Sequence, residues 1–297
     1  MNKSPHKHEI SNKSSLLLAI IINILLTVFQ IVGGIFSGSL ALVADALHNL
    51  SDALALGIAW IARLIAQKPS DEYYTYGYGR AELIGAMINL TSLIIIGMYL
   101  IYEGIYRLID PVEVQGMLVV YIAIIALVID LATALLVYRD SKNSLNMKAA
   151  FLHNISDGLA SIGVIISGLL IANYNLYFAD AIITLLISLF VLYQGISTIP
   201  KVIRILMQAT PLNIDLNAIT QNIKQVKGVQ DFHHVHAWQL DEDSILLEAH
   251  VIVEISLLAD ISKIKYQIKK LLKNKYSISH STIEFELHDG ACETDLS

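Results

Sequence analysis

Cysteine is nearly missing from this 297-residue chain. The single copy, Cys292, excludes an internal disulfide and any zinc site built on paired thiolates. Charge is scarce as well. Charged residues make up 15% against 55% hydrophobic ones, and a mean hydropathy of +0.59 lies far from that of a soluble domain, so most of the chain belongs in lipid. The charge that remains leans acidic. With 20 Lys+Arg against 26 Asp+Glu, a net −6 and a pI near 5.9, the chain has no global basic footprint, and nucleic acid drops out as a partner. A GxxxxGK[ST] phosphate loop is absent, which argues against a nucleotide partner and ATP drive. HExxH and GxSxG are also absent, so an intramembrane hydrolase has no motif to stand on and the chain reads as no enzyme. Any chemistry falls to histidines and carboxylates.

A helix crossing a bilayer needs about 20 apolar residues. Six windows qualify or nearly do. Leu16 to Phe36, Ile84 to Tyr102, Gly158 to Ala179 and Ala181 to Pro200 are free of charge. Leu40 to Ala62 holds Asp45, His48 and Asp52, and Val114 to Tyr138 holds Asp130. His153 and Asp157 precede the third uncharged window, placing a fifth helix at roughly 148–171 and a sixth at roughly 177–199. With the N-terminus inside, the cytoplasmic segments collect Lys3, Lys7, Lys13, Arg63, Lys68, Arg80, Arg139, Lys142, Lys148, Lys201 and Arg204, and the outer loops share Arg107 alone. Both termini are then cytoplasmic. The basic start imitates a signal peptide, but the apolar run is too long and lacks an Ala-x-Ala site, so it reads as a span.

After Pro211 the composition turns to that of a soluble domain. Leu216, Ile219, Ile223 and Val226 recur at helical spacing before Gly228, and Val229 to Leu240 and Ile245 to Ile255 read as strands around Asp241-Glu242-Asp243. A helix with the stripe Ile261, Ile264, Ile268, Leu271 and Leu272 and a strand from Ser279 to Leu287 complete the order αββαβ. The lysines between 263 and 275 read as a solvated face, with attraction to a membrane surface second. The expected fold is thus an α-helical membrane protein: a cytosolic tail (1–13), a six-helix transmembrane bundle (14–208) and a cytosolic α+β domain (209–297). A soluble core of about 85 residues would gain from dimerisation.

Ionisable groups at membrane depth are costly and mark ion or proton paths. His48-Asn-Leu-Ser-Asp52 on the second helix recurs as His153-Asn-Ile-Ser-Asp157 on the fifth. A spacing of four puts each pair on one helix face, one turn apart. His48 lies on the order of 15 Å inside one end of its helix, and the opposed fifth helix brings His153 and Asp157 to comparable depth. A lone His-x3-Asp pair would read as interhelical packing; two copies at matched depth read as the four ligands of one ion. Two imidazoles and two carboxylates suit tetrahedral Zn2+, whereas Mg2+ prefers oxygen octahedra and Cu(I) prefers sulfur. Zinc needs neutral imidazole and ionised carboxylate, so binding expels protons and protonation expels metal, which predicts exchange of Zn2+ for H+. Asp45 and Asp130 stay open between passing ions or protons and packing.

These residues resemble the cation diffusion facilitator family, in its zinc/cadmium branch. The resemblance covers nearly the whole chain: Ser37-Gly-Ser-Leu-Ala-Leu-Val-Ala-Asp-Ala-Leu-His48 running into Asp52, the Tyr74 to Glu82 loop, the second His-x3-Asp, and Ala209-Thr-Pro211 opening the soluble domain. It implies a homodimeric divalent-cation/proton antiporter in a lipid bilayer, exporting Zn2+ or Cd2+ by alternating access, with a metallochaperone-like cytosolic domain. Manganese and iron branches tend to replace the histidines by Asp or Asn. Some members carry a further metal site on histidines of the loop after helix two, but Asp71 to Arg80 here holds tyrosines and no histidine.

His233, His234, His236, His250, His280 and His288 crowd the soluble strands. Alternation sends His234 and His236 to one face and His233 to the other, so all three serve one ion only if the strand bends or a partner subunit contributes. The resemblance implies ligands at His233, His250 and Glu286, with His280 in the pattern His280 to Glu286; ordinary sheet histidines are the alternative. Cys292 reads equally as a ligand or a free thiol, and His6, His8 and Glu9 as a polar tail. The rival functions are a membrane metal sensor without transport and an antiporter for Co2+, Mn2+ or Fe2+. The lack of a transit peptide and of a long His-rich loop points to a bacterial inner membrane.

Overall fold

The computed structural model describes residues 24–141, 145–254 and 260–286. Two compact units divide the chain: one takes the residues up to Trp60 together with Ile88–Ile199, the other Ile61–Met87 together with the chain from Pro200 onward. The division differs from the one drawn by composition near residue 209, because the ends of two long helices and the loop between them group with the C-terminal segment.

The first unit takes all or most of α1 (Ile24–Ser37), α2 (Leu40–Ala66), α3 (Arg80–Ile109), α4 (Gly116–Ser141), α5 (Leu145–Tyr174) and α6 (Phe178–Leu206), the residues of α2, α3 and α6 outside its bounds counting with the second. Helices α2 to α6 are each long and apolar enough to cross a membrane; α1 is described from Ile24, so the start of the expected first span lies outside the described residues. Helices α5 and α6 outrun their expected ranges, and α6 continues past Pro200, where proline costs one backbone hydrogen bond but does not end the helix.

Burial here is inverted relative to a soluble protein. Phe36 is 73% exposed and Tyr193 72%, while Asp45, Gln30, Ser161, Asp180 and Thr184 are enclosed. That is the pattern of helices whose apolar sides face lipid and whose polar groups must find partners within the bundle. Helix α4 crosses α5 closely. A Cβ on Gly116 would stand 2.5 Å from the Gly168 carbonyl oxygen, and one on Gly168 3.0 Å from that of Gly116, so only glycine lets these backbones meet. The start of α2 is capped from α6. Asp180 accepts from Ser39 Oγ at 2.5 Å and from the Leu40 and Ala41 amides at 2.7 and 3.1 Å, meeting donors that a helix N-terminus leaves free.

In the second unit α7 (Leu216–Lys224) is capped by Asp215, which accepts from the Asn217 and Ala218 amides. Strands β1 (Val229–Gln239) and β2 (Ile245–Val253) pair antiparallel around the Asp241 turn, where the Asp241 carboxylate accepts from the Asp243 and Ser244 amides. Helix α8 (Ile261–Tyr276) ends at Ser277 in the left-handed conformation, φ 57°, and crosses over to β3 (Ile278–Glu286), parallel to β2. The sheet order is β1-β2-β3. Ile219, Ile223, Ile264, Ile268 and Leu272 bury the helices against Phe232, Leu247 and Val251 of the sheet, and the α8 lysines are exposed. The expected αββαβ order is the observed one.

Strict alternation along β1 does not hold. His233 faces His250 and His236 faces Glu248, so two residues of β1 stand against Ala249 alone, and His234 takes φ 50°. This is a β-bulge, which re-aims side chains.

Candidate metal centres

Four donors meet inside the first unit. From α2, His48 and Asp52 project on one face; from α5, His153 and Asp157 do the same. His48 Nε2 lies 3.6 Å from Asp52 Oδ2 and 3.5 Å from Asp157 Oδ1, and His153 Nε2 lies 3.2 Å from Asp52 Oδ2 and 3.5 Å from Asp157 Oδ2. The imidazoles meet edge to face, 6.0 Å between centroids. Nε2 of His48, Oδ2 of Asp52 and Oδ1 of Asp157 are buried without a hydrogen-bond partner in the protein. One ligand atom each from His48, Asp52 and His153 lies within 4.8 Å of the others, and Asp157 faces His48 through Oδ1 and His153 through Oδ2. A tetrahedron with zinc-ligand arms of about 2.0–2.1 Å has edges of about 3.3–3.4 Å, and the contacts of Asp52 Oδ2 with His48 and His153, 3.6 and 3.2 Å, stand on either side of that length. The chemistry of the donor set and its spacing both fit a dication of that size.

Beside this cluster lies a polar network that the sequence left open. Gln30 Nε2 donates to Asp45 Oδ2 at 2.7 Å, Asn49 Nδ2 donates to Gln30 Oε1 at 3.3 Å, and Ser161 Oγ lies 3.5 Å from Asp45 Oδ2 and 3.2 Å from Asp130 Oδ2. Asp180 carries no local sequence signal, because it borders an uncharged window and its partners are about 140 residues away.

The second unit gathers His233, His250 and Glu286. His233 Nε2 stands 3.3 Å from Glu286 Oε2, and His250 Nδ1 stands 2.6 Å from Glu286 Oε1. One ligand atom from each of the three lies within 4.8 Å of the others. Asp231 Oδ2 faces His233 Nδ1 at 3.3 Å; Lys224 Nζ, 2.5 Å from the other oxygen, holds the Asp231 carboxyl below its ordinary range, keeping an anion behind that imidazole. The bulge brings the His234 ring 4.9 Å from that of His250 and 4.8 Å from that of His236. His280 is not brought to this group. It sits opposite Leu246, while Glu284 is opposite His250 and Glu286 is opposite Ile252, so it is displaced along the strand by roughly 13 Å from His250's own partner. Its ring instead stands edge-on to Tyr76 at 6.2 Å. His6, His8, His288 and Cys292 lie outside the described residues.

The loop from Asp71 to Arg80 is organised by its tyrosines. Asp71 accepts from the Tyr73 and Tyr74 amides and from the Tyr78 hydroxyl at 2.6 Å. The shared hydrogen bond lowers the Asp71 carboxyl and pushes the Tyr78 phenol up to about 12. Among the described residues, neither group of three or more metal-ligating side chains includes this loop.

Residues 16–207 match the family model of the cation efflux transmembrane domain, and residues 211–288 that of the cation efflux protein, cytoplasmic domain. A protein of Bacillus subtilis named cadmium, cobalt and zinc/H(+)-K(+) antiporter is 36% identical, over 96% of this chain and 94% of the relative. The metal cation efflux system protein CzcD of Cupriavidus metallidurans is 32% identical, over 97% and 90%. The zinc transporter ZitB of Pectobacterium atrosepticum is 33% identical, over 98% and 90%. Among solved structures, the metal-bound C-terminal domain of the CzcD transporter aligns with 25% of this chain and 100% of that chain at 31% identity and a TM-score of 0.24.

Proposed function

This chain belongs to the cation efflux family, and from that membership we propose that it exports Zn2+ in exchange for protons through the cluster of His48, Asp52, His153 and Asp157. It is a multi-pass membrane protein of a transporter family, in the zinc/cadmium branch, and its activity is metal cation efflux by antiport. The observation that supports zinc at this place is the spacing of the donors: four contacts of 3.2–3.6 Å between imidazole nitrogens and carboxylate oxygens, three of whose atoms have no hydrogen-bond partner in the protein.

Charge explains why such a site exchanges. Emptied of metal and of protons, it carries two carboxylate charges in a low-dielectric layer, the state most penalised there. One Zn2+ cancels those charges, and two protons cancel them equally well. The site therefore changes its exposure from one side of the membrane to the other only when loaded with metal or with protons. Ligation requires neutral imidazole and ionised carboxylate, so metal and protons compete for the same lone pairs. Export follows when the proton gradient points into the cytoplasm, where both termini lie in the reading drawn from the Lys and Arg distribution.

His233, His250 and Glu286 are assigned a cytosolic Zn2+ in a homodimer, where occupancy biases the dimer between two arrangements by its differential affinity for them. His280 is left out of this set because β3 holds it elsewhere.

The test is flux. The purified protein in liposomes, with a zinc dye inside and an imposed pH gradient, is expected to accumulate zinc, and Asp157→Ala to lose that flux. Zinc binding without flux in the wild type would discard transport and leave a membrane metal sensor.

A further inference from the structure

The network beside the metal cluster has an unbalanced hydrogen count. Ser161 has one hydroxyl hydrogen and two carboxylates within reach, Asp130 Oδ2 at 3.2 Å and Asp45 Oδ2 at 3.5 Å. If it donates to one, the other faces its lone pairs, unless that carboxyl brings a proton of its own. Both acids are enclosed, Asp45 at 1% exposure and Asp130 at 5%. Asp45 Oδ1 has no hydrogen-bond partner in the protein. A neutral acid with one bare oxygen is far less costly in such surroundings than an anion with one. Like-charged carboxylates linked at this range take up a single proton between them, which then belongs to the pair rather than to either residue.

We propose that Asp45, Ser161 and Asp130 form a second, proton-only site, a carboxyl pair that holds one proton through a shared hydroxyl and releases it when a dication occupies the four-ligand cluster. The proposal rests on the transport reading for its second half alone; the held proton follows from the network. The titratable groups facing the pair are His48 on α2 and His153 and Asp157 on α5, and α1 contributes the neutral Gln30. Coupling comes through these neighbours. The empty cluster adds two negative charges beside the pair and tightens its hold on the proton, and a bound dication removes that field and loosens it. None of the three residues is a metal ligand. Asp45 sits three residues from His48, one turn along the same helix, close enough for the field and outside the coordination shell.

Two readouts on the full-length protein test the halves separately. Infrared difference spectroscopy of the metal-free protein across neutral pH is expected to show a protonated carboxyl band that disappears in Asp130→Asn. That substitution keeps the shape and supplies amide hydrogens in place of the shared proton. An absent band, or one that persists unchanged in Asp130→Asn, overturns the held proton whether or not the protein transports zinc. Ser161→Ala, which removes the bridge and leaves both acids, is expected to shift the band and its pH midpoint; an identical band and midpoint would also overturn it. In the second readout, protons released per zinc bound are counted by calorimetry in buffers of different ionisation enthalpy. Wild type is expected to release more than Asp130→Asn, by up to one proton per zinc, at equal zinc stoichiometry. Equal release in the two proteins overturns the coupling. Loss of the transport reading would look different: His153→Ala would then bind as much zinc as wild type while the carboxyl band stayed in place.

Discussion

At the residue scale the proposed ligand types bear on the proposed cargo. Replacing His48 by Asp exchanges an imidazole nitrogen for a carboxylate oxygen and moves the set toward the all-oxygen coordination favoured by harder cations. His48→Asp is therefore expected to lower zinc flux on the order of tenfold relative to manganese flux in the same liposomes, measured as competition between the two ions. An unchanged ratio would mean that His48 is not in the coordination shell. Asp180 makes a different kind of contribution, since it accepts from Ser39 Oγ and two amides in an enclosed place. Asp180→Ala leaves those donors bare, and the expected cost is about 1–3 kcal/mol, read as a lower thermal midpoint in detergent with the Asn variant falling between. The two His-x3-Asp pairs were legible because their spacing is local, within one helical turn. Asp180 was not, because its partners sit about 140 residues away in sequence. His280 stands apart from His250 for a related reason: a motif gives the order of residues along a strand, and the parallel register of β2 and β3 decides which of them meet.

Among elements, the α4–α5 crossing holds the helix that bears His153 and Asp157 and depends on the absence of side chains at Gly116 and Gly168. A larger residue at 116 must push the backbones apart, since its Cβ alone would sit 2.6 Å from the Ala172 amide nitrogen. Gly116→Leu is expected to abolish most zinc flux, with the protein still inserted and its thermal midpoint lowered. Full flux in that variant would show that the crossing does not position the site. The apolar helices and the order αββαβ were readable because apolar runs and alternating strands are properties of contiguous sequence. The bulge in β1 was not, since it rests on one non-glycine residue, His234, held at φ 50°. A β-branched side chain there adds strain, so His234→Val is expected to destabilise the second unit by about 1–2 kcal/mol and His234→Gly to do so much less, in denaturant midpoints of the metal-free protein. The passage of α6 through Pro200 was equally hidden, because the rule that proline ends a helix weakens where neighbouring helices support the backbone.

For the whole molecule the decisive property is coupling, and coupling has a sign. A site that crosses only when loaded moves zinc one way and protons the other, even with no pH difference at the start. Liposomes at equal internal and external pH, lightly buffered inside and given zinc outside, are expected to turn alkaline within as protons leave against entering zinc. A zinc uniporter would leave the internal pH unchanged, and a zinc–proton symporter would acidify it. The direction in which binding depends on pH follows from the same competition: affinity falls as pH drops through the range where imidazole takes up a proton, unperturbed near 6.5, because each proton occupies a lone pair that the metal needs. Raising internal buffer capacity should increase the zinc delivered before the flux stalls, since the growing proton imbalance is what opposes it. Asp157→Ala, lacking one of the two carboxylates that make the loaded site neutral, should show neither the zinc entry nor the alkaline shift, whereas a protonophore with the membrane potential clamped should erase the shift and let zinc continue to enter.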